Sequence, residues 1–285
     1  MKKGVKRVDK SLVKRVYTKR KPNSRKGEFG KLVIIGGSYI YHGSPTLAAL
    51  AAYRAGCDLV YLIGPRRAMD LAAAFAPELI TFPLNCDVIT KKEVTSIIEF
   101  LNKKHAFVIG GGMLRTKEVQ EAIAELLRRV TLPCVIDADA IYAVASHKEV
   151  IRNNMVITPH SYEFYVLTGR RVDELGTEKK VEAVENAARE LGCTILLKGN
   201  VDVISDGRDT ALNYTGTPYM TVGGTGDTLA GICGALLARG NDPFTSACVA
   251  AYINGKAGEI AAKEKGEGLL PTDLIEAIPL AIRGK

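Results

Sequence analysis

Residues 32–63 read LVIIGGSYIYHGSPTLAALAAYRAGCDLVYLI, and this stretch decides the fold. It begins with an apolar run that stops at a pair of glycines, and it ends with a second apolar run of five residues. Between the two runs the pattern predicts a helix with Ser44 as its N-cap, Pro45 in its first position and Gly56 at its end. Strand, helix and strand in this order are typical of a parallel sheet with helical crossovers.

The alternation of strands and helices continues along the chain. Further strands are predicted at 78–82, 106–109, 133–137, 154–158 and 194–198. Helices are predicted at 116–130, 177–192, 225–239, 242–264 and 271–283, and short β-type pieces with turn residues are predicted within 200–220. No repeat or composition shift divides the chain, so we expect one three-layer α/β/α domain with a mostly parallel sheet at 27–285, after an arm at 1–26.

The composition is that of a globular protein, with 285 residues of which 47% are hydrophobic and 25% are charged. No apolar stretch reaches the roughly 20 residues that a membrane helix needs, and the N-terminus lacks the apolar core of a secretory signal. The six cysteines are dispersed without a C-x-x-C pair, which favours reduced thiols over a zinc site or a disulfide framework. We therefore expect a soluble, cytoplasmic protein.

The net charge of +8 is concentrated at the N-terminus. Residues 1–31 contain 13 Lys and Arg against two acids, which leaves the rest of the chain slightly acidic. Such a basic arm can bind nucleic acid or an anionic membrane. It can equally pack one apolar stripe of a helix on the body, because Val5, Val8, Leu12 and Val16 recur at helical spacing. No nucleic-acid-binding motif accompanies the arm, so we favour the packed helix.

The strongest candidate site is the segment VGGTGD at 222–227, which begins a helix of small residues. In open parallel sheets, ligands bind beyond the carboxyl ends of the strands, where strand-to-helix segments lie. The amides of Gly224, Thr225 and Gly226, together with the helix dipole, predict an anion site. The dipole favours a lowered pKa for Asp227, bound phosphate would raise it, and the carboxylate can act there as a general base. The alternative is a glycine turn whose Asp only stabilises the helix.

Two further strand ends carry ionisable side chains. His160 and Glu163 follow the strand at 154–158, and the histidine serves either a ligand or the local structure. Lys198 ends the strand at 194–198, where it either meets a phosphate as a point charge or lies exposed at the strand end.

Glycines and paired carboxylates mark two more strand ends. The glycine turn at 110–112 either admits a flat ligand or provides a tight exit from its strand. Asp137 and Asp139 either hold Mg²⁺ or, in the case of Asp139, cap the following helix.

Taken together, these motifs resemble the ribokinase-like superfamily and, within it, the NAD(P)H-hydrate dehydratase family (the YjeF C-terminal domain). The motif GGTGD alone is typical of the whole superfamily, whereas the other segments in their order point to the dehydratase family. The segments that carry the resemblance are RKGEFGKLVIIGGS at 25–38, the glycine turn at 109–112, VIDADAI at 135–141, ITPHSYEF at 157–164, LLKGNVDVISDG at 196–207, NYTGTPYMTVGGTGDTLAGI at 213–232 and NGKAGEIAAKEKGEGLLPTDLIEAIP at 254–279.

The resemblance implies a hydro-lyase that repairs NADH or NADPH hydrated at C6 of the nicotinamide ring, with ADP or ATP as phosphoryl donor. The terminal phosphate passes to the C6 hydroxyl, and the phosphorylated adduct then eliminates phosphate. In this scheme Asp227 takes the hydroxyl proton, and the amides of Gly224, Thr225 and Gly226 stabilise the transferring phosphoryl group.

The resemblance also implies which residues bind each ligand. The positions that correspond to contacts with the hydrated cofactor are Ser44, Gly112, His160 and Asp227. The positions that correspond to the nucleotide site are Lys198, Gly199, Asn200, Val201, Asp202 and Gly226. The family usually needs Mg²⁺, and its ligands in this chain are not indicated by the sequence.

Three segments depart from the family pattern, and all three lie on the substrate side. The chain has His42-Gly43-Ser44 where the family commonly has T-G-A, and Pro159-His160-Ser161-Tyr162-Glu163 where it has P-H-P-G-E. It also has Gly111-Gly112-Met113-Leu114 in place of P-G-L-G.

Alternative functions also fit the sequence, and one of them is a non-catalytic nucleotide sensor that would not need Asp227 as a base. A small-molecule kinase of the superfamily, acting on a hydroxymethylpyrimidine or hydroxyethylthiazole alcohol, would use the same Asp base, although the segments 25–38 and 254–279 favour the dehydratase. Nucleic-acid binding through the arm is a further alternative. By analogy with the family we also expect a homo-oligomer, a tetramer, with an NAD(P)H-hydrate epimerase as functional partner.

Overall fold

The computed structural model describes residues 4–284, and its centre is a ten-stranded sheet. The strands are β1 (Val5–Arg7), β2 (Lys31–Ile35), β3 (Leu59–Pro65), β4 (Ile80–Leu84), β5 (Ala106–Ile109), β6 (Cys134–Ile136), β7 (Met155–Ile157), β8 (Thr194–Leu197), β9 (Asp202–Ser205) and β10 (Thr210–Asn213). Their spatial order is β1-β10-β9-β8-β7-β6-β5-β2-β3-β4. All neighbouring strands run parallel except β9, which is antiparallel to both β8 and β10.

Helices cover both faces of the sheet. They are α1 (Lys10–Val16), α2 (Gly43–Arg54), α3 (Arg66–Phe75), α4 (Val94–Leu101), α5 (Lys117–Arg129), α6 (Asp139–Ser146), α7 (Ser161–Thr168), α8 (Thr177–Leu191), α9 (Thr225–Ala238), α10 (Pro243–Lys265) and α11 (Pro271–Arg283). One core contains residues of α4 to α8, and the other contains residues of α1 to α3 and α9 to α11. The three-layer α/β/α prediction is therefore confirmed.

The strands supply side chains to both cores in alternation. In β2, Leu32 and Ile34 face the core that includes α2 and α9, whereas Val33 and Ile35 face the opposite core. All four are buried. Strands that are buried on both faces read as continuous apolar runs, which is why these runs were visible in the sequence.

Most predicted elements begin and end within one residue of their observed bounds, but three predictions are wrong. The strand predicted at 78–82 begins two residues later, at Ile80. Ser44 is not the N-cap and Pro45 is not the first helical residue, because α2 begins at Gly43 and His42 is its N-cap residue. Val5 does not belong to a helical stripe with Val8, since it lies in β1 and the helix of the arm begins at Lys10.

The basic arm is part of the folded structure. Its strand β1 pairs with β10, and the carboxylate of Asp9 accepts a hydrogen bond from the Ser11 amide (2.7 Å) at the start of α1. Val8 and Val13 are buried in the core beside α10. Within residues 4–284, none of the helices combines the length and the apolar character needed to cross a membrane.

The helices α2 and α9 approach each other and the sheet very closely. A Cβ atom on Gly231 of α9 would lie 2.0 Å from the carbonyl oxygen of Ala48 in α2. A Cβ on Gly234 would lie 2.4 Å from Cγ2 of Val108 in β5. Only glycine permits these distances, so the two small residues set the position of α9 over the strand ends.

We expect Gly231→Ala to lower the free energy of unfolding by about 1–3 kcal/mol, because the added methyl group overpacks the contact between α2 and α9. Urea denaturation of the variant measures this loss. Gly268→Ala is the control, since this glycine is exposed and its Cβ would meet nothing within 4 Å, and it should change the free energy by less than about 0.5 kcal/mol. Equal stability of the Gly231→Ala variant and the original chain would contradict the close contact.

Candidate active site

The carboxyl ends of β2, β5, β6, β7 and β8 meet at one edge of the sheet, because these strands are parallel. The helices α2 and α9 begin at the same edge, with Ser44 and Asp227 in their first turns. This arrangement joins two residues that are 183 positions apart in the chain.

Asp227 is a carboxylate held in place by a hydroxyl group. The Ser44 hydroxyl donates a hydrogen bond to its Oδ1 atom. Burial raises the pKa of Asp227 to about 6, with a further contribution from the Asp137 carboxylate. The Ser44 hydrogen bond and the charge of Lys198 oppose this rise. Burial therefore outweighs the lowering that was expected from the helix dipole, and the group is a proton acceptor at neutral pH.

The glycine turn after β5 makes room for this pair. A Cβ on Gly111 would lie 2.1 Å from Ser44 Oγ and 3.1 Å from Asp227 Oδ1. Gly110 has a φ of +130°, and its Cβ would lie 1.8 Å from the carbonyl oxygen that follows β6. Gly112 lies beside Ser44, since its Cβ would be 3.6 Å from that of the serine. The backbone of this turn therefore lies very close to Ser44 and to the Asp227 carboxylate.

The first turn of α9 has amides without helical acceptors. Gly224 adopts a φ of +105° before the helix, and Thr228 is the first residue whose amide donates back to it, at 3.1 Å. The amides of Thr225, Gly226 and Asp227 come before this bond, and helix geometry gives them no acceptor. Together with the helix dipole they form a local environment that favours an anion.

Lys198 faces these amides from the end of β8. Its Nζ atom lies 3.7 Å from the position that a Cβ on Gly226 would take. The ammonium group is paired with Asp137 (3.0 Å) and with Glu163 (3.8 Å). Burial disfavours the charge, but the two carboxylates outweigh it and raise the pKa of Lys198. Lys198 is therefore a fixed positive charge in the cleft, and its side chain is only 21% exposed.

The loop after Lys198 is closed by Asp202. This carboxylate accepts a hydrogen bond from the Gly199 amide (3.0 Å) and one from a side-chain amide on β10 (2.9 Å). Burial raises the pKa of Asp202 to about 6. Gly199 and Asn200 are exposed, whereas Val201 packs partly against the core. Of this loop, the structure brings Lys198 to α9 and leaves Gly199 and Asn200 at the rim.

His160 is the N-cap of α7. Its Nδ1 accepts hydrogen bonds from the amides of Tyr162 (3.2 Å) and Glu163 (3.3 Å), and Glu163 in turn accepts from the His160 amide (2.9 Å). Burial and the nearby charge of Lys198 lower the pKa of His160, which favours the neutral ring that these bonds require. The contacts assign His160 a structural role, and its side chain is 52% exposed, which leaves it accessible to a ligand.

Asp137 and Asp139 have separate protein partners. Asp137 is paired with Lys198, whereas Asp139 accepts hydrogen bonds from the Leu114 amide (2.9 Å) and from Nε of Arg115 (2.8 Å). Asp139 does not cap α6, because the residue before it is the N-cap. Across residues 4–284, no group of three or more His, Cys, Asp or Glu side chains is arranged to hold a metal ion.

Two features of the site are not predicted from the sequence. Ser44 is predicted as an N-cap and as a contact to substrate, whereas its hydrogen bond to Asp227 joins two helices that no local pattern connects. Arg115 is not among the predicted site residues, although it lies three residues after a glycine turn at a strand end, which is a usable signal.

Comparisons with known proteins agree on one family. The model of a family described as NAD(P)H-hydrate dehydratase matches residues 32–280. The chain is 39% identical over 280 residues to an ADP-dependent (S)-NAD(P)H-hydrate dehydratase of Cenarchaeum symbiosum, covering 95% of this chain and 94% of that protein. It is 42% identical over 266 residues to a bifunctional NAD(P)H-hydrate repair enzyme Nnr of Pyrobaculum aerophilum. That match covers 93% of this chain but only 52% of the relative, so the chain spans about half the length of the bifunctional relatives.

A solved structure shows the same fold. The ADP/ATP-dependent NAD(P)H-hydrate dehydratase of Bacillus subtilis, co-crystallised with ATP and Mg²⁺, superposes with a TM-score of 0.84 at 27% identity, covering 98% of each chain.

We expect the Asp227 carboxyl group to titrate near pH 6 in carboxyl-carbon NMR, with its signal assigned by its loss in Asp227→Asn. Ser44→Ala should move this titration to higher pH, because the lost hydrogen bond stabilises the carboxylate form. Ser11→Ala, which changes an exposed serine of α1, is the control and should leave it unmoved. An unchanged pKa in Ser44→Ala would show that the hydroxyl does not act on Asp227.

Proposed function

Because this chain belongs to the NAD(P)H-hydrate dehydratase family, we propose that it is an ADP-dependent hydro-lyase that restores hydrated NADH and NADPH. The observation that carries the proposal is the placement of the Asp227 carboxylate beside the free amides of α9 and opposite Lys198. A proton acceptor next to an anion site is what phosphoryl transfer to a hydroxyl requires.

The first step forms a phosphate ester on the substrate. Asp227 takes the proton of the C6 hydroxyl, the hydroxyl oxygen bonds to the terminal phosphorus of ADP, and AMP leaves with the electrons of the broken P–O bond. The amides of Gly224, Thr225 and Gly226, followed by that of Asp227, stabilise the charge on the transferring group, with Lys198 facing them. Since these groups are fixed before the reaction, they need little reorganisation.

The second step is an elimination. The lone pair of the ring nitrogen expels phosphate from C6, and loss of a proton from C5 restores the double bond of the dihydropyridine. The sum of the two steps converts hydrated NADH and ADP into NADH, AMP and phosphate. We propose that Ser44, Gly112 and His160 lie on the substrate side of the cleft. The loop Lys198–Asp202 then lies on the nucleotide side.

We propose that Mg²⁺ is carried to the site by the nucleotide. The carboxylates at this edge are already engaged, Asp137 with Lys198 and Asp139 with Arg115. Such a donor set fits an ion that is held mainly by phosphate oxygens and water, which is how Mg²⁺ commonly binds in nucleotide sites. The bound ion would neutralise part of the negative charge of the phosphates.

We also propose functional partners and a cellular location for this protein. The bifunctional relatives support a second repair activity acting beside this one, for which we propose an NAD(P)H-hydrate epimerase. All six cysteines are free, which supports a reducing, cytoplasmic location. A homo-oligomer, a tetramer by analogy with the family, is tested by light scattering after size-exclusion chromatography.

We expect the purified protein to restore the absorbance of reduced nicotinamide when it is given NADH hydrate and ADP. The rate with ADP should exceed the rate with ATP, in line with the name of the Cenarchaeum symbiosum relative. No recovery with either nucleotide would falsify the dehydratase proposal, and turnover of a thiazole or pyrimidine alcohol with ATP would support the kinase alternative.

We expect Asp227→Asn to reduce kcat by about 10²- to 10⁴-fold, because the amide cannot accept the hydroxyl proton. ADP binding and thermal stability should be largely retained, and Asp206→Asn in the exposed β9–β10 turn is the control. For the original chain, kcat/KM should fall about tenfold per pH unit below pH 6, since protonation of Asp227 removes the base. A variant that retains turnover within a few-fold would contradict the role of Asp227.

A further inference from the structure

Arg115 presents free donors at the substrate side of the cleft. Its Nε donates to Asp139 Oδ1 (2.8 Å), and its guanidinium carbon lies 4.1 Å from the centroid of the Tyr142 ring. The side chain is 52% exposed. Among the described residues, no hydrogen-bond acceptor is found for its two terminal nitrogens. The guanidinium group is thus oriented by the protein through one nitrogen while the other two remain available.

The backbone next to Arg115 is held in an unusual conformation. Leu114 has a φ of +72°, in the left-handed region that a leucine rarely adopts. Its amide donates to Oδ2 of Asp139 (2.9 Å), the same carboxylate whose Oδ1 binds Arg115. One buried carboxylate therefore holds both the strained residue and the arginine that follows it. Strain that the surroundings maintain in this way is typical of functional sites.

The charges around Arg115 indicate which chemical group it would bind. The carboxylates of Asp137, Glu163 and Asp227 lie at this edge of the sheet, and Lys198 is already paired with the first two. The positive charge of Arg115 contributes to lowering the pKa of both His160 and Glu163, as expected of a cation near these side chains. A substrate with phosphate groups needs a cation to offset the negative charge of these carboxylates. Arg115 still has two nitrogens that can donate hydrogen bonds to a phosphate.

We propose that Arg115 binds a phosphate of the dinucleotide substrate and that Asp139 is its positioning residue. The proposal rests on the proposed function, because it takes the substrate to be a hydrated dinucleotide. Guanidinium groups bind phosphate with two parallel hydrogen bonds, and the two free nitrogens of Arg115 supply such a pair of donors. The phosphate belongs either to the diphosphate bridge or to the 2′-phosphate of the NADPH form.

We expect Arg115→Gln to raise the KM for NADH hydrate by about 10- to 100-fold, as the loss of a charge-assisted hydrogen-bond pair implies. The kcat and the KM for ADP should change by less than about threefold, because the nucleotide binds on the Lys198 side. Arg115→Lys and Asp139→Asn should give smaller increases, since the first keeps the charge and the second keeps the arginine. Thermal denaturation checks that each variant is folded.

The controls separate the sources of the phosphate. Arg208→Gln, in the exposed β9–β10 turn, removes an arginine away from the cleft and should leave every constant unchanged. Equal losses with NADH and NADPH hydrates would assign the diphosphate bridge, and a loss with NADPH hydrate alone would assign the 2′-phosphate. A raised KM for ADP with unchanged KM for both hydrates would overturn the proposal.

Equilibrium binding distinguishes this inference from the proposed function. NADH fluorescence reports binding of the reduced dinucleotide without turnover, and Arg115→Gln should weaken it by a similar factor. If the original chain binds NADH through Arg115 but does not restore the hydrate, the dehydratase proposal is wrong, whereas Arg115 is still assigned as a contact to a dinucleotide phosphate. If the hydrate is restored but NADH and NADPH bind equally well with and without Arg115, the inference is wrong and the function stands.

Discussion

The site depends on the close approach of α9 to α2 and to the sheet. Gly231 and Gly234 remove the side chains that would separate these elements, because a Cβ at either position would overlap Ala48 or Val108. The start of α9 is consequently held directly above the strand ends. Its free amides and Asp227 then occupy the place where the parallel strands terminate, and Ser44 meets Asp227 from the neighbouring helix. A wider separation of α2 and α9 would break this contact first.

The second constraint is electrostatic. Several carboxylates converge on one edge of the sheet, and two cations hold them in fixed arrangements, Lys198 with Asp137 and Arg115 with Asp139. Burial leaves Asp227 with a pKa of about 6, so it is ionised at neutral pH yet is a better base than an exposed aspartate. The phosphates of the proposed ligands are met by backbone amides and by these cations.

The fold could be predicted largely from the sequence, because its strands are buried on both faces and read as continuous apolar runs. The run at 106–109 coincides with β5, and the helices predicted near 177–192 and 271–283 are α8 and α11. The wrong predictions are those in which a tertiary contact overrides a local sequence rule. Ser44 has the residue type of an N-cap, but its hydroxyl binds Asp227 instead. Val5 fits a helical stripe, but it pairs with β10, which lies more than 200 positions away in the chain.

The sequence by itself determined the order of strands and helices, the glycine-rich start of α9 and the identity of Asp227 as the candidate base, since all of these depend on local periodicity and residue type. Only the tertiary structure decided which charges meet. Lys198 pairs with Asp137 across 61 positions, and Asp139 binds Arg115 and the strained Leu114 across a strand crossover. These contacts, and the pKa of Asp227, depend on burial and on distances between strand ends, which no local pattern encodes.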